Sequence, residues 1–187
     1  LLNYIYLLSD IVTFVRGEYP SEKLDLFDEF FVYKALDELI PINQNELNSF
    51  IGVINSEYLI KDIQIWLFDL GTIIANPNKK YTFDCNLEFT KILEKEIDNM
   101  TSKLPKLVNF ILPNGNIHLS RAITRRCERK LVEVKTITTH IDDNCLIFMN
   151  RLSDYLFTLA RYDAYINKKE EKIYKKSLIL SDRKSVV

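Results

Sequence analysis

Glycine, histidine and cysteine are scarce in this 187-residue sequence, and each shortage excludes something. Four glycines allow few tight loops, which favours long helices. The three cysteines lie far apart without a Cys-x-x-Cys pair, so we expect neither a disulfide framework nor a zinc site, and a reducing compartment is favoured. The two histidines, His118 and His140, leave no metal-binding cluster, so no metal ligands are predicted.

Charge of either sign is not in excess, because the formal net charge is only −1. A broad nucleic-acid-binding surface would give a basic bias over the domain, so we expect no direct nucleic-acid partner. The apolar stretch LLNYIYLL at residues 1–8 is too short to span a bilayer and lacks the basic flank of a secretory signal. We therefore expect no membrane span and an intracellular location.

Apolar residues recur at helical spacing through the first well-patterned half of the chain. Over residues 45–75 they follow steps of three and four, which places one apolar stripe along a helix. Asn76-Pro77-Asn78 ends this pattern, because proline cannot continue the hydrogen-bond ladder. Residues 87–104 repeat it, and residues 24–39 are a further helix candidate.

A loop containing Pro113 and Gly115 separates these helices from two more. The first of the two begins near His118 and runs toward about His140. A final helix is predicted over roughly 144–166, with Asp142 and Asp143 as candidate N-terminal caps. The mixed-charge run at 168–176 is interpreted as a solvated helix end. Together these patterns predict an all-α bundle.

Each of the last two helices is predicted to carry a polar face beside an apolar one. On the helix after the loop, the polar face holds Arg121, Arg125, Glu128 and Arg129, whereas Arg126 points elsewhere. Its apolar face holds Ile123, Cys127, Leu131 and Val134. On the final helix, the polar face holds Asn150, Ser153, Asp154, Phe157 and Arg161, and the core stripe holds Met149, Leu152, Leu156 and Leu159.

Two interpretations of these polar faces stay open on the residues alone. They are solvated surfaces with salt bridges between neighbouring turns, or they bind an anionic ligand. Asn, Ser and Asp replace the Lys and Glu that are usual on exposed helices, which weakens the first interpretation. Arginine with asparagine and glutamate suits a polyphosphate, because the guanidinium group donates paired hydrogen bonds and stays charged.

Several motifs, in order, resemble those of the PduO-type ATP:cob(I)alamin adenosyltransferases. The family has DELNSxIG, IQxxLFDLGxxLA, FILPGG, ARTxxRRAER and LNRLSDYLFVLARY. This sequence has, in the same order, ELNSFIG at 46–52, IQIWLFDLGTIIA at 63–75, FILPNG at 110–115, SRAITRRCER at 120–129 and MNRLSDYLFTLARY at 149–162.

The resemblance implies a fold and an assembly. Family members are five-helix, up-and-down bundles that form homotrimers, with the site between neighbouring subunits. It divides this chain into a divergent N-terminal segment, 1–44, and an adenosyltransferase-like bundle, 45–187.

The resemblance also implies the site residues. ATP is expected to contact Arg125, Arg126, Glu128, Arg129 and Asn150, together with Lys23 after the N-terminal loop. Cobalamin is expected near Phe110, which helps to displace the lower axial ligand, and near Arg121 and Asn45. Among these residues, the catalytic group is Arg121, Arg125 and Glu128.

The implied reaction is attack of cob(I)alamin on the 5′ carbon of ATP, which gives adenosylcobalamin and releases triphosphate. The arginines would stabilise the departing triphosphate electrostatically, and Mg²⁺ is expected on the phosphates. Family members occur in bacterial cytoplasm and in mitochondria, so the implied compartment is the cytoplasm of a bacterium or the mitochondrion of a eukaryote.

The sequence departs from the family pattern in the N-terminal region. The phosphate loop TGDxGxTxL is replaced by SDIVTFVRGEY at 9–19, in which both loop glycines are missing and Val12 is stiff. The acidic partner of Arg121 is replaced by Asn45, unless Asp37 supplies it after an insertion.

These departures leave three functions open. The chain is an active adenosyltransferase, or a catalytically inactive relative that serves as a structural or interaction subunit of a larger assembly. The third function, a chaperone that binds ATP or cobalamin without turnover, lies between them. Retention of the arginines, Glu128, Asn150 and Phe110 favours the first.

Overall fold

A computed structural model describes residues 44–55, 58–75, 82–137 and 141–175. These ranges contain five helices and a single isolated β-bridge, which confirms the all-α prediction. The helices are α1 (44–52), α2 (Ile60–Ala75), α3 (Glu88–Thr101), α4 (Gly115–Ile137) and α5 (Asp143–Ile166). In the described part, no helix combines the length and the apolar character that crossing a bilayer requires. The domain division after residue 44 stays a prediction, as does the helix at 24–39, which lies outside the described residues.

The segment predicted as one helical stripe over 45–75 contains two helices, so that prediction was wrong in its continuity. The amide of Val53 donates to the carbonyl of Phe50 (3.3 Å) and that of Ile54 to Ile51 (3.0 Å). These i to i−3 bonds tighten the last turn and end α1. The apolar spacing does not reveal the break, because Ile51 and Ile54 are buried on either side of it.

Reciprocal amide contacts join α1 to α2. The Asn48 side chain donates to the backbone carbonyl of Gln64 (3.3 Å), and the Gln64 side chain donates to the carbonyl of Asn48 (3.1 Å). The two helices therefore pack side by side with a fixed register.

The final helix, α5, lies at the centre of the described bundle and packs against both α3 and α4. Its predicted core stripe is confirmed, since all four of its members are buried: Met149, Leu152, Leu156 and Leu159. Its predicted cap is also confirmed, because Asp142 accepts a hydrogen bond from the amide of Cys145 (3.2 Å). Trp66 belongs to the core, with its ring stacked on Phe89 at 4.8 Å between centroids.

The charged run after α5 is not the solvated helix end that was predicted. The helix ends at Ile166, and the chain then turns back in an extended conformation. Ile173 forms an antiparallel bridge with Ile111 in the loop before α4. We call residues 169–175 the strap. The prediction failed because the pairing joins segments that are distant in sequence, and a local charge pattern does not encode such a contact.

Candidate functional site

The polar face of α4 contains an ion pair between two residues that lie one helical turn apart. The guanidinium group of Arg125 donates to one carboxylate oxygen of Glu128. The Glu128 side chain is 14% exposed and that of Arg125 is 42% exposed, so the carboxylate is sheltered and the guanidinium group faces solvent. Arg125 is therefore available to a ligand while Glu128 holds it in place.

An amide from the neighbouring helix completes this arrangement. The side-chain nitrogen of Asn150, on α5, donates to the other carboxylate oxygen of Glu128 over 3.1 Å. Asn150 is exposed, and its side-chain oxygen accepts no hydrogen bond from a described residue. We call Arg125, Glu128 and Asn150 the Arg–Glu–Asn cluster. It joins the two polar faces that the sequence predicted separately.

The other two arginines of the motif have different surroundings. Arg129 is exposed and, among the described residues, makes no hydrogen bond or ion pair. Arg126 points elsewhere, as predicted from the helix spacing, and pairs with the carboxylate of Glu46 on α1. Arg129 thus extends the cationic surface of α4, whereas Arg126 ties α4 to α1.

A second cluster lies one to two turns earlier on α4. The guanidinium carbon of Arg121 lies 5.2 Å from the centroid of the Phe157 ring, and His118 meets the same ring edge-on at 6.2 Å. The Nε of Arg121 is buried and has no hydrogen-bond partner among the described residues. Burial lowers the pKa of His118, the nearby Arg121 lowers it further, and Glu171 acts in the opposite direction. This cluster combines one cation with aromatic surface.

The loop before α4 presents Phe110 to solvent. The side chain is 83% exposed, although its backbone carbonyl accepts a hydrogen bond from the amide of Tyr174 in the strap (2.7 Å). An exposed ring on a fixed backbone is suited to contact a large apolar ligand.

Other predicted residues are not brought into either cluster. Asn45 is exposed on α1, where its backbone carbonyl accepts from the hydroxyl of Ser49 (2.8 Å), and within the described residues no hydrogen bond joins its side chain to Arg121. Lys23, Asp37 and the segment 9–19 lie outside the described residues.

The polar face predicted for α5 is partly buried, so the solvated interpretation does not hold for all of it. Ser153 and Arg161 are buried, at 1% and 8% exposure. This burial arises because α3 and α4 both cover α5, so its buried arc is wider than one apolar stripe.

The sequence assigned no role to three residues that take part in these contacts: Glu46, His118 and Phe157. Glu46 lies inside the quoted ELNSFIG motif and pairs with Arg126, but no local pattern links positions 80 residues apart. Phe157 was placed on the polar face of α5 without a role. Phe157 lies two helical turns after Asn150, and this spacing indicates that the two residues share one face of α5.

The described residues contain no group of three or more His, Cys, Asp and Glu side chains that could hold a metal ion.

The fold and the site define an all-α bundle in which polar and cationic side chains of two long helices meet. The family model for cobalamin adenosyltransferase matches residues 43–163, which is more than half of the chain, so the chain belongs to the cobalamin adenosyltransferase family. It is 43% identical over 135 residues to corrinoid adenosyltransferase MMAB of Bos taurus, covering 66% of this chain and 55% of that protein.

A solved structure supports the same family. A variant PduO-type ATP:corrinoid adenosyltransferase from Lactobacillus reuteri, complexed with cobalamin and ATP, is 35% identical with a TM-score of 0.68, covering 75% of this chain and 87% of that chain. A shorter likeness, 47% identity over 57 residues, links 30% of this chain to 5% of a putative ATP-dependent RNA helicase of Acanthamoeba polyphaga mimivirus. The chain spans about half the length of the mammalian relatives that it matches.

Proposed function

We propose that this protein transfers the 5′-deoxyadenosyl group of ATP to cob(I)alamin. In this reaction a cobalt–carbon bond forms at the 5′ carbon while its bond to oxygen breaks, and triphosphate leaves with the bonding electrons. The observation that carries the proposal is the Arg–Glu–Asn cluster, in which side chains from two helices converge on one sheltered carboxylate. Membership of the family and the ATP and cobalamin bound to the Lactobacillus reuteri relative support it.

The Arg–Glu–Asn cluster would bind ATP. Arg125 and the exposed Arg129 would face the triphosphate, where their charge stabilises the negative charge that builds up on the leaving group. Glu128 would hold Arg125 and Asn150 in position rather than touch the phosphates, since both of its oxygens already accept hydrogen bonds. Arg126 would contribute indirectly, because it is paired with Glu46.

The second cluster and Phe110 would face cobalamin. Phe157 and the exposed ring of Phe110 offer apolar surface to a corrin ring, and Arg121 offers a cation to its polar side chains. By resemblance, Phe110 would occupy the space of the lower axial ligand. Along α4, Arg121 and Arg125 are one turn apart, or roughly 6 Å, so both substrates would lie along a single helix.

The exposure of the Arg–Glu–Asn cluster to solvent favours a homotrimer in which the site lies between subunits. Asn150 and Arg129 are exposed on the described bundle, so a neighbouring subunit would have to enclose the nucleotide. Lys23 and the divergent segment 9–19 would contribute from the N-terminal region. Mg²⁺ would enter with the triphosphate, which is how this ion is commonly held in nucleotide sites. The corresponding compartment is intracellular, the mitochondrion in a eukaryote or the cytoplasm in a bacterium.

A second candidate is a subunit without turnover in a larger assembly. Two observations favour it. Arg121 makes no ion pair among the described residues, and related sequence forms a small part of a much longer helicase-named protein. Under this alternative, the Arg–Glu–Asn cluster would be a structural network.

A direct assay separates the two candidates. The full chain is incubated anaerobically with ATP, Mg²⁺ and chemically reduced cobalamin, and adenosylcobalamin is followed by its absorption spectrum and its loss on illumination. Product formation that fails in Arg125→Ala supports the transferase. Wild-type protein that binds neither ATP nor cobalamin would refute it, and binding of either without product would point to the chaperone-like function.

A further inference from the structure

The strap is fixed to the loop before α4 by a short ladder of backbone bonds. The amide of Leu112 donates to the carbonyl of Lys172, and the amide of Tyr174 donates to the carbonyl of Phe110, both over 2.7 Å. Ile111 and Ile173 are the bridged pair between them. Two hydrogen bonds in an otherwise isolated bridge are a weak attachment, because isolated two-stranded pairings are marginal in water.

A buried arginine reinforces this attachment. Arg161, on α5, is 8% exposed, and its Nε donates to the carboxylate of Glu171 in the strap over 3.3 Å. Its terminal nitrogen donates to the backbone carbonyl of Pro105 over 3.0 Å. One guanidinium group therefore joins three separate parts of the chain: α5, the segment that leads to Phe110, and the strap.

The chemistry of the guanidinium group suits this junction. Its donors leave one planar group in fixed directions, so it reaches a carboxylate and a carbonyl at once, whereas a lysine ammonium group is a single flexible point charge. A buried cation also requires its partners, because removal of the Glu171 carboxylate would leave the charge poorly compensated. The junction is therefore specific to arginine and sensitive to the loss of Glu171.

We propose that Arg161 is a positioning residue. It holds the strap against the loop before α4, an attachment that we call the clasp, and thereby fixes the backbone position from which Phe110 contacts cobalamin. This inference rests on the proposed function. Arg161 touches no predicted substrate, and its effect passes through Glu171 and the ladder to the carbonyl of Phe110. The exposed ring has no packing of its own to hold it, so the backbone ladder sets its place.

Amide hydrogen exchange of the ligand-free protein tests the clasp without any turnover. We expect Glu171→Ala to lower the protection of the Leu112 and Tyr174 amides at least tenfold while that of α5 amides stays unchanged. Lys169→Ala is the matched control, because Lys169 lies in the same strap but pairs with the side chain of Asp163 (3.3 Å). Unchanged protection in Glu171→Ala would overturn the clasp.

Cobalamin spectra and kinetics test the positioning of Phe110. We expect Glu171→Ala and Arg161→Lys to shift bound cob(II)alamin toward the form that keeps its lower ligand, which is also the result expected for Phe110→Ala. The value of kcat/KM for cobalamin should fall about tenfold, while KM for ATP changes less than twofold. Lost protection with a wild-type spectrum and kinetics would overturn the positioning role. A wild-type chain that forms no adenosylcobalamin would refute the proposed function, and the exchange data would still decide the clasp.

Discussion

The side-chain nitrogen Nδ2 of Asn150, on α5, lies 3.1 Å from one carboxylate oxygen of Glu128, on α4. The other carboxylate oxygen of Glu128 accepts a hydrogen bond from Arg125. This contact fixes the spacing between the two helices at the point where ATP is proposed to bind. It also uses both oxygens of Glu128, so a ligand would meet Arg125 and the side-chain oxygen of Asn150 instead.

The first prediction concerns Glu128→Gln. The neutral amide would hold Arg125 less firmly, and one of its two positions would become a donor that conflicts with the donors around it. We expect kcat/KM for ATP to fall about 100-fold, because misplacement of a positioned group costs on this order. The unfolding free energy should change by only about 1 kcal/mol, because Arg125 is half-exposed.

Glu133→Gln is the matched control for this prediction. Glu133 accepts from Lys130 three residues earlier on the same helix (2.6 Å), so it repeats the Arg125–Glu128 spacing outside the cluster. Steady-state kinetics of both variants should separate them. Equal loss in both would mean that the effect belongs to α4 and not to the site.

The second prediction concerns Asn150→Asp, which places a second carboxylate against Glu128. Two carboxylates repel at this distance, and neither can donate a hydrogen bond to the other. The contact between positions 150 and 128 would therefore be lost while the size of the side chain stays the same. We expect kcat/KM for ATP to fall about 100-fold in steady-state kinetics. Wild-type kinetics in this variant would contradict a direct contact.

The sequence was sufficient for the all-α class, for the last three helices and for the faces of α4. The 3.6-residue period places Arg125 and Glu128 on one face and Arg126 on another, and helix geometry alone requires this. The cap at Asp142 was equally predictable, because its chemistry is local.

The sequence was insufficient wherever a contact joins distant segments. Arg126 pairs with Glu46, which lies 80 residues earlier in the chain, and the strap pairs with the loop before α4, about 60 residues earlier. Helical spacing places Arg161 on the polar face of α5 but does not show that it is buried, which its two hydrogen-bond partners make acceptable. Their positions depend on how the helices pack, which local periodicity does not encode.

The third prediction concerns thiol reactivity. Burial raises the pKa of Cys127 to about 11, and burial with the nearby Asp142 carboxylate raises that of Cys145 further. Because the thiolate is the reactive form, only the exposed Cys85 should react with a thiol reagent at about pH 8 in the native protein. Titration should give one reactive thiol per chain in buffer, three in denaturant, and none in native Cys85→Ser. Rapid reaction of a second native thiol would contradict the burial of Cys127.

The fourth prediction concerns His118 and stability at low pH. Burial and Arg121 lower its pKa in the folded state, and the opposing Glu171 does not reverse this, so the unfolded chain binds the proton more tightly. Between the ordinary histidine value near 6.5 and the lowered folded value, protonation therefore favours unfolding, and stability is lost as the pH falls. Urea unfolding at several values from about pH 7.5 to pH 5 should show a smaller loss for His118→Gln than for wild type. Groups that do not act on His118 affect both proteins alike, so the difference between the two curves reports His118 together with its neighbours Arg121 and Glu171. Parallel curves would mean that His118 titrates as it does in the unfolded chain, which is incompatible with its position between Arg121 and the ring of Phe157.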